Sequence, residues 1–246
     1  MPGPNLLAAL AIALLAASGA PAQDELRVQS PNGRLEARLL IAQPEPDRLF
    51  HIAYQLFLDG HPLLDTSYLG IHVHDQEPML GENQALTASR KSQQPGYNSL
   101  LAQYLQNGTV GRRINVEVRL WDDGLAFRYL IPPTATLDEL LIEDELTEFS
   151  FAKPIDQPGP VPLPFLTRQS GAGWIGIYEA GNGAYPRANL LRTDTNTMIT
   201  RLVQEDRIPR IAYEGRSPFT GPWRIVIVAP TRESLMQTAI FQALLR

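Results

Sequence analysis

A carboxylate ends the apolar row Ile175, Ile177, Glu179 in the stretch "WIGIYEAGNGAY" (Trp174 to Tyr185). Side chains alternate along a strand, so these three share one face while Trp174, Gly176 and Tyr178 take the other. Gly181 and Gly183 then allow a sharp bend. A carboxylate beside apolar neighbours is costly unless something pairs with it. Glu179 is therefore expected either to cap the turn by accepting backbone N–H groups or to serve as an oxygen ligand for a hard cation.

Other residues have the types for chemistry. His72-x-His74 places two imidazoles on one face of a strand, with Asp75 and Glu77 close by in sequence. Zinc sites use such pairs but need further ligands from elsewhere, so a polar outward face opposite Leu69, Ile71 and Val73 is the favoured reading. "LDELLIEDELTEF" carries Asp138, Glu139, Glu143, Asp144, Glu145 and Glu148. It lacks the spacing and glycine of an EF-hand calcium loop and reads as a solvated acidic edge. Trp121, Trp174, Tyr178, Tyr185 and Trp223 could stack on sugar rings, although core packing is the default for an aromatic in an alternating strand. Neither a Gly-x-Ser-x-Gly elbow nor a glycine-rich phosphate loop is present.

The elements that must hold these residues are mostly strands. "LRVQSPNGRLEARLLIA" reads as two strands around Asn32-Gly33, and "RLFHIAYQLFLDG" as another that ends at Asp59-Gly60. In "INVEVRLWDDGLAFRYLIP", Ile114, Val116, Val118 and Leu120 alternate towards the turn. Leu125, Phe127, Tyr129 and Ile131 alternate away from it, which is a strong hairpin signal around Asp123-Gly124. Further strands are expected at Trp174–Tyr178, Met198–Val203, Arg210–Glu214 and Arg224–Val228. Only "TRESLMQTAIFQALL" reads as a helix, with Thr231 as its N-cap. Five prolines in "AKPIDQPGPVPLPF" exclude a central strand or a helix interior, so this stretch is an extended connection within one domain. The fold class predicted is all-β, a large antiparallel β-sandwich with a short C-terminal helix.

Residues Leu6 to Ala17 form an apolar run too short to span a bilayer as a mature helix. It leads into Ala20-Pro21-Ala22, which fits the small-x-small rule of a signal peptidase site. The expectation is a leader over 1–22, cleavage after Ala22, and an exported domain over 23–246 that is periplasmic or extracellular. The chain has no cysteine, so the fold uses no disulfides and no lipid is attached through a cysteine. A formal charge of −5 argues against nucleic acid, which binds clustered Lys and Arg. No later segment is long enough for a membrane span.

Five blocks in order carry a family resemblance: "SPNG", "WDDGLAFRY", "DELTEF", "IYEAGNGAY" and "GPWRIVIV". Together they resemble the N-terminal domain of glycoside hydrolase family 97, exported calcium-dependent α-glucosidases and α-galactosidases. The resemblance implies a galactose mutarotase-like sandwich, followed in that family by a (β/α)8 barrel and a small C-terminal β domain. It implies that Glu179 corresponds to a sandwich glutamate offered to a calcium ion at the barrel mouth. It also makes Trp174, Tyr178, Tyr185 and Trp223 candidate carbohydrate-binding residues. The catalytic glutamates of the family lie in the barrel, and this chain ends at Arg246, where the barrel would begin. No catalytic residue is therefore expected, since glycosidases need two placed carboxylates. The short proline-rich connection replaces a longer aromatic-bearing segment of the family, which implies that one wall of a sugar site is missing. Calcium takes six to eight oxygens, so a calcium ion is expected only with a partner barrel. Three readings follow: a non-catalytic carbohydrate-binding module for α-linked sugars, the sandwich part of a split glycosidase, and a structural module without sugar affinity.

Overall fold

The structure is a computed structural model that describes residues 25–157, 159–204 and 208–246. The leader expected over 1–22 lies outside the described residues. The described chain is an all-β sandwich, as its alternating sequence predicts.

One layer is the long sheet in which Phe165–Gln169, Gly173–Ala180, Trp223–Ala229, Gly124–Ile131, Arg113–Trp121, Tyr97–Gln106 and Gln84–Gln94 are successive neighbours, with Phe219–Thr220 added on Gly124–Ile131. The expected hairpin is at its centre: Val116 faces Tyr129, Val118 faces Phe127 and Leu120 faces Leu125 across the turn. Three smaller sheets supply the opposing side. They are a meander from Leu26 to Tyr68, a three-stranded sheet with Glu139–Glu145 in the middle, and a four-stranded sheet around Ala188–Arg192 and Thr197–Leu202. Alternation turns Leu125, Phe127, Tyr129 and Ile131 into the main core. There Tyr54 of the meander lies 4.9 Å from Phe127, and Phe149 lies 6.5 Å from both rings.

The outer face of the long sheet carries a second apolar cluster. Ile225 and Ile227, the alternate residues of Trp223–Ala229, meet Trp121, Ala126, Tyr178, Leu235 and Ile240 there. The C-terminal segment covers this face. It is divided into a 3-10 turn, Glu233–Gln237, and a helix, Ala239–Leu244, separated by Thr238 in an extended conformation, where the sequence reads one helix. The break lets Leu235 and Ile240 both reach the sheet. Thr231 Oγ1 does accept the Ser234 N–H at 3.2 Å. The Arg210–Glu214 strand is displaced to Tyr213–Arg216. In the proline-rich connection Val161–Pro162 pairs against Leu190 and Asn189, and its last residue, Phe165, opens a strand and pairs with Ile177. Among the described residues no helix is long and apolar enough to cross a membrane.

The acidic run is not a solvated edge. Glu139–Glu145 lies between Tyr213–Arg216 and Ile71–Val73. Leu140 and Ile142 point inward, and strict alternation would bury Asp144 next. A bulge between Ile142 and Asp144 shifts the phase, so Glu145 turns into the core with 1% of its side chain exposed.

Phe149 joins the two layers and is fully buried. Phe149→Ala should lower the unfolding free energy by about 3–5 kcal/mol, read from urea denaturation; a loss below about 1 kcal/mol would show that the site collapses freely.

Candidate functional site

Arg224 shares its face of the strand with Val226, which belongs to the main core. That face points to the sandwich interior, so the guanidinium is buried, with 1% of its side chain exposed. Glu145 comes from the opposite layer and takes two of its N–H groups. Nε donates to Oε1 at 2.6 Å, and an Nη donates to Oε2 at 2.8 Å. The remaining nitrogen donates at 2.6 Å to Oε2 of Glu179, whose strand residue is paired directly with Arg224 across the sheet. Burial alone would lower the Arg224 pKa, but the charge and hydrogen bonds of Glu145, with Glu179 behind it, leave it raised.

Both carboxylates are oriented by further bonds. Thr147 donates its one hydroxyl proton to Glu145 Oε1 at 2.8 Å, so the Tyr129 hydroxyl, 2.7 Å from Thr147 Oγ1, is the donor in that pair. Burial, followed by the nearby Glu145 charge, raises the Tyr129 pKa and keeps that proton in place. Glu179 Oε2 also accepts Asn182 Nδ2 at 3.1 Å and the Ala188 N–H at 3.2 Å. Gly181, at φ 73°, makes the bend that brings Asn182 back. The expected capping by backbone N–H groups of the Gly181–Gly183 bend is replaced by bonds from the Asn182 side chain within the bend and the Ala188 N–H beyond it.

All of these bonds use one oxygen. Glu179 Oε1 is buried and accepts no hydrogen bond from the described residues; Arg187 Nη1 is 3.9 Å away. Glu179 lines a hollow of about 680 Å³ together with Tyr178, Asn182, Arg187, Pro164 and Leu244. A single fixed carboxylate oxygen with a free lone pair fits one ligand of a hard cation, which takes oxygen donors. Among the described residues no group of three or more His, Cys, Asp or Glu is placed to hold a metal ion, so Glu179 could contribute one ligand and not a complete shell.

The four aromatic candidates are not gathered into one platform. Tyr185 is in the main core, against Tyr213 at 5.2 Å and Phe219 at 5.5 Å. Tyr178 is under the C-terminal helix, edge-on to Phe241 at 5.8 Å. Trp223 has Arg119 and Arg128 over its ring at 4.6 and 4.3 Å, the two guanidiniums held together by Glu117. Trp174 is half-buried, with Arg232 at 5.9 Å. Tyr178 and Tyr185 both border the hollow that Glu179 lines, from opposite faces of the long sheet.

The family profile described as "Glycosyl-hydrolase 97 N-terminal" matches residues 28–157. The chain belongs to the glycosyl-hydrolase 97 N-terminal family. Solved structures agree in fold. A Glycoside Hydrolase Family 97 enzyme from Pseudoalteromonas sp. strain K8, in complex with acarbose, superposes with a TM-score of 0.72 at 20% identity, over 87% of this chain and 37% of that one. The same enzyme carrying E480Q, in complex with panose, matches equally well. A β-arabinopyranosidase gives a TM-score of 0.68 at 17% identity, over 84% of this chain and 40% of that one. The chain thus spans well under half the length of these enzymes. No curated protein sequence matches it.

In this family 97 sandwich, Arg224 and Glu145 are the site residues that residue-by-residue reading missed. The signal was available: "WRIVIVA" carries one cation in an otherwise apolar strand, and a buried charge demands a partner. The His72-x-His74 pair is half-exposed and shares Glu143. His74 Nδ1 is 2.5 Å from one of its oxygens, and His72 Nδ1 is 3.2 Å from the other.

Two expectations follow. Arg224→Met strands two buried carboxylates and should cost about 3–5 kcal/mol in denaturant unfolding; a cost below about 1 kcal/mol, the scale of an exposed pair, would deny it the central role. The hydrogen bond to Glu143, with weaker help from Asp75, raises the His74 pKa above its ordinary 6.5. A raised folded-state pKa adds stability below 6.5 that is lost as pH rises through the folded value. Wild type should therefore be more stable than His74→Gln at mildly acid pH and equal to it at alkaline pH, by urea midpoints; a pH-independent gap would contradict this.

Proposed function

We propose that this chain is a non-catalytic accessory sandwich that offers Glu179 to a calcium ion at the face of a family 97 catalytic barrel, whether that barrel lies on the same polypeptide or on another. One observation carries the reading: Glu179 is fixed through Oε2 by Arg224, Asn182 and Ala188 while its Oε1 accepts no hydrogen bond and the residue lines an open hollow. A metal ligand that is pre-oriented by neighbouring hydrogen bonds binds better than a free one. Resemblance to a family of calcium-dependent α-glycosidases supports calcium as the cation. The leader-like N-terminus supports export to the periplasm or beyond.

The hollow also favours a second reading, in which the sandwich takes an α-linked sugar itself. Its volume is in the range of small-ligand sites, and Tyr178, Asn182 and Arg187 offer a ring face and polar groups. The relatives crystallised with acarbose and panose make α-linked saccharides the ligands to try. Calorimetric titration with maltose and panose separates the readings, since only the second expects heat of binding from the sandwich alone.

The purified chain should not turn over aryl α-glucosides or α-galactosides. Added to a family 97 barrel stripped of its own sandwich, it should restore calcium-dependent hydrolysis, and Glu179→Gln should cut the restored rate on the order of tenfold or more. Turnover by the chain alone, or equal restoration by Glu179→Gln, would overturn the proposal.

A further inference from the structure

Strand register divides the outer face of the long sheet into two halves. Directly opposed residues of an antiparallel pair share a face. One outer row therefore runs Ser92, Ser99, Arg119, Ala126, and the next runs Arg90, Leu101, Glu117, Arg128. The C-terminal turn and helix pack on the half that carries Trp121, Ala126 and Ile225. On the other half Ser99 and Leu101 stay partly exposed, and a hollow of about 640 Å³ opens over them.

This second half is cationic, although the chain carries a net charge of −5. Arg90, Arg113, Arg119 and Arg128 occupy its outward positions against one carboxylate, Glu117. Glu117 is spent on two of them. Its Oε1 accepts Arg119 Nε at 3.0 Å and Nη2 at 2.8 Å, and its Oε2 accepts Arg128 Nε at 2.8 Å. The triad keeps a net positive charge. The Arg119 guanidinium is also held against aromatic rings, 4.6 Å from the centroid of Trp223 and 5.3 Å from that of Tyr97. Its Nη1 has no hydrogen-bond partner among the described residues, and Arg119 lines the hollow together with Arg90.

We propose that this hollow binds a small anionic saccharide, a sugar unit that carries a carboxylate or a phosphate. Arg119 and Arg90 would take the anionic group. A guanidinium already fixed by Glu117 and two rings loses little freedom on binding, so its unspent N–H groups are available at low entropic cost. Ser92 accepts Gln94 Nε2 at 2.9 Å and keeps its own proton to donate to a sugar oxygen. Leu101 and Leu130 give an apolar floor for the ring carbons, and the volume is in the range of small-ligand sites. The inference goes beyond the reading of Glu179, because the two hollows share no lining residue.

Nuclear magnetic resonance titration of the isotope-labelled chain with glucuronate, glucose-6-phosphate and glucose tests this. Amide shifts should saturate at Ser92, Gln94 and Ser99, and at least one of the two anions should bind about tenfold or more tightly than glucose. The tighter of the two tells a carboxylated from a phosphorylated ligand. Arg119→Lys, which keeps the charge and loses the fork, should weaken that ligand about tenfold. Arg90→Gln, at an exposed position, should weaken it about threefold, with circular dichroism confirming that each variant is folded. Glucose binding as tightly as both anions, unchanged affinity in either folded variant, or the absence of saturating shifts at these three residues would overturn the inference. Shifts confined to Asn182 and Ala188 would overturn it as well, by placing the ligand in the Glu179 hollow.

Discussion

A single buried guanidinium ties this sandwich together. Arg224 sits between Glu145, from the opposite layer, and Glu179, its cross-strand neighbour, and spends three of its donors on them. A charge placed so deep tolerates little freedom, because any movement that opens one of these bonds exposes an uncompensated ion to a low-dielectric interior. The consequence is geometric: the two layers are held in one register at this end, and the Glu179 carboxylate is held in one orientation.

That orientation divides the two oxygens of Glu179. Oε2 collects a guanidinium, a side-chain amide and a backbone N–H, while Oε1 collects none. The bend at Gly181 matters for the same reason, since it returns Asn182 and Ala188 to Oε2 and leaves the other, buried oxygen without a hydrogen bond among the described residues. Thr147 and Tyr129 do for Glu145 what Asn182 does for Glu179. The site is thus a chain of positioned groups running from the centre of the long sheet to the surface.

The aromatic residues illustrate a different constraint. A sheet has two faces, and around Trp223–Ala229 both faces of the long sheet are covered, one by the opposing sheets and one by the C-terminal turn and helix. Rings on either face are drawn into packing or under guanidinium groups, as Trp223 is beneath Arg119 and Arg128. Their types are those of a sugar platform, but their partners are already within the protein.

Much of this was legible in the residues themselves. Alternation determined the hairpin around Asp123-Gly124 and the inward face of Ile175, Ile177 and Glu179, because a period of two leaves only one way to bury an apolar row. The ordered blocks from "SPNG" to "GPWRIVIV" pointed to the family. Tertiary structure alone decided the rest. A bulge after Ile142 inverted the alternation that would have left Glu145 in solvent, and a local pattern cannot announce where its own phase slips. Pairing of Arg224 with Glu145, 79 residues apart in the chain, depends on how two sheets stack, which no stretch of either strand encodes by itself. The sequence could state that Glu179 needed a partner; only the folded chain supplied Arg224 as that partner and left one oxygen free.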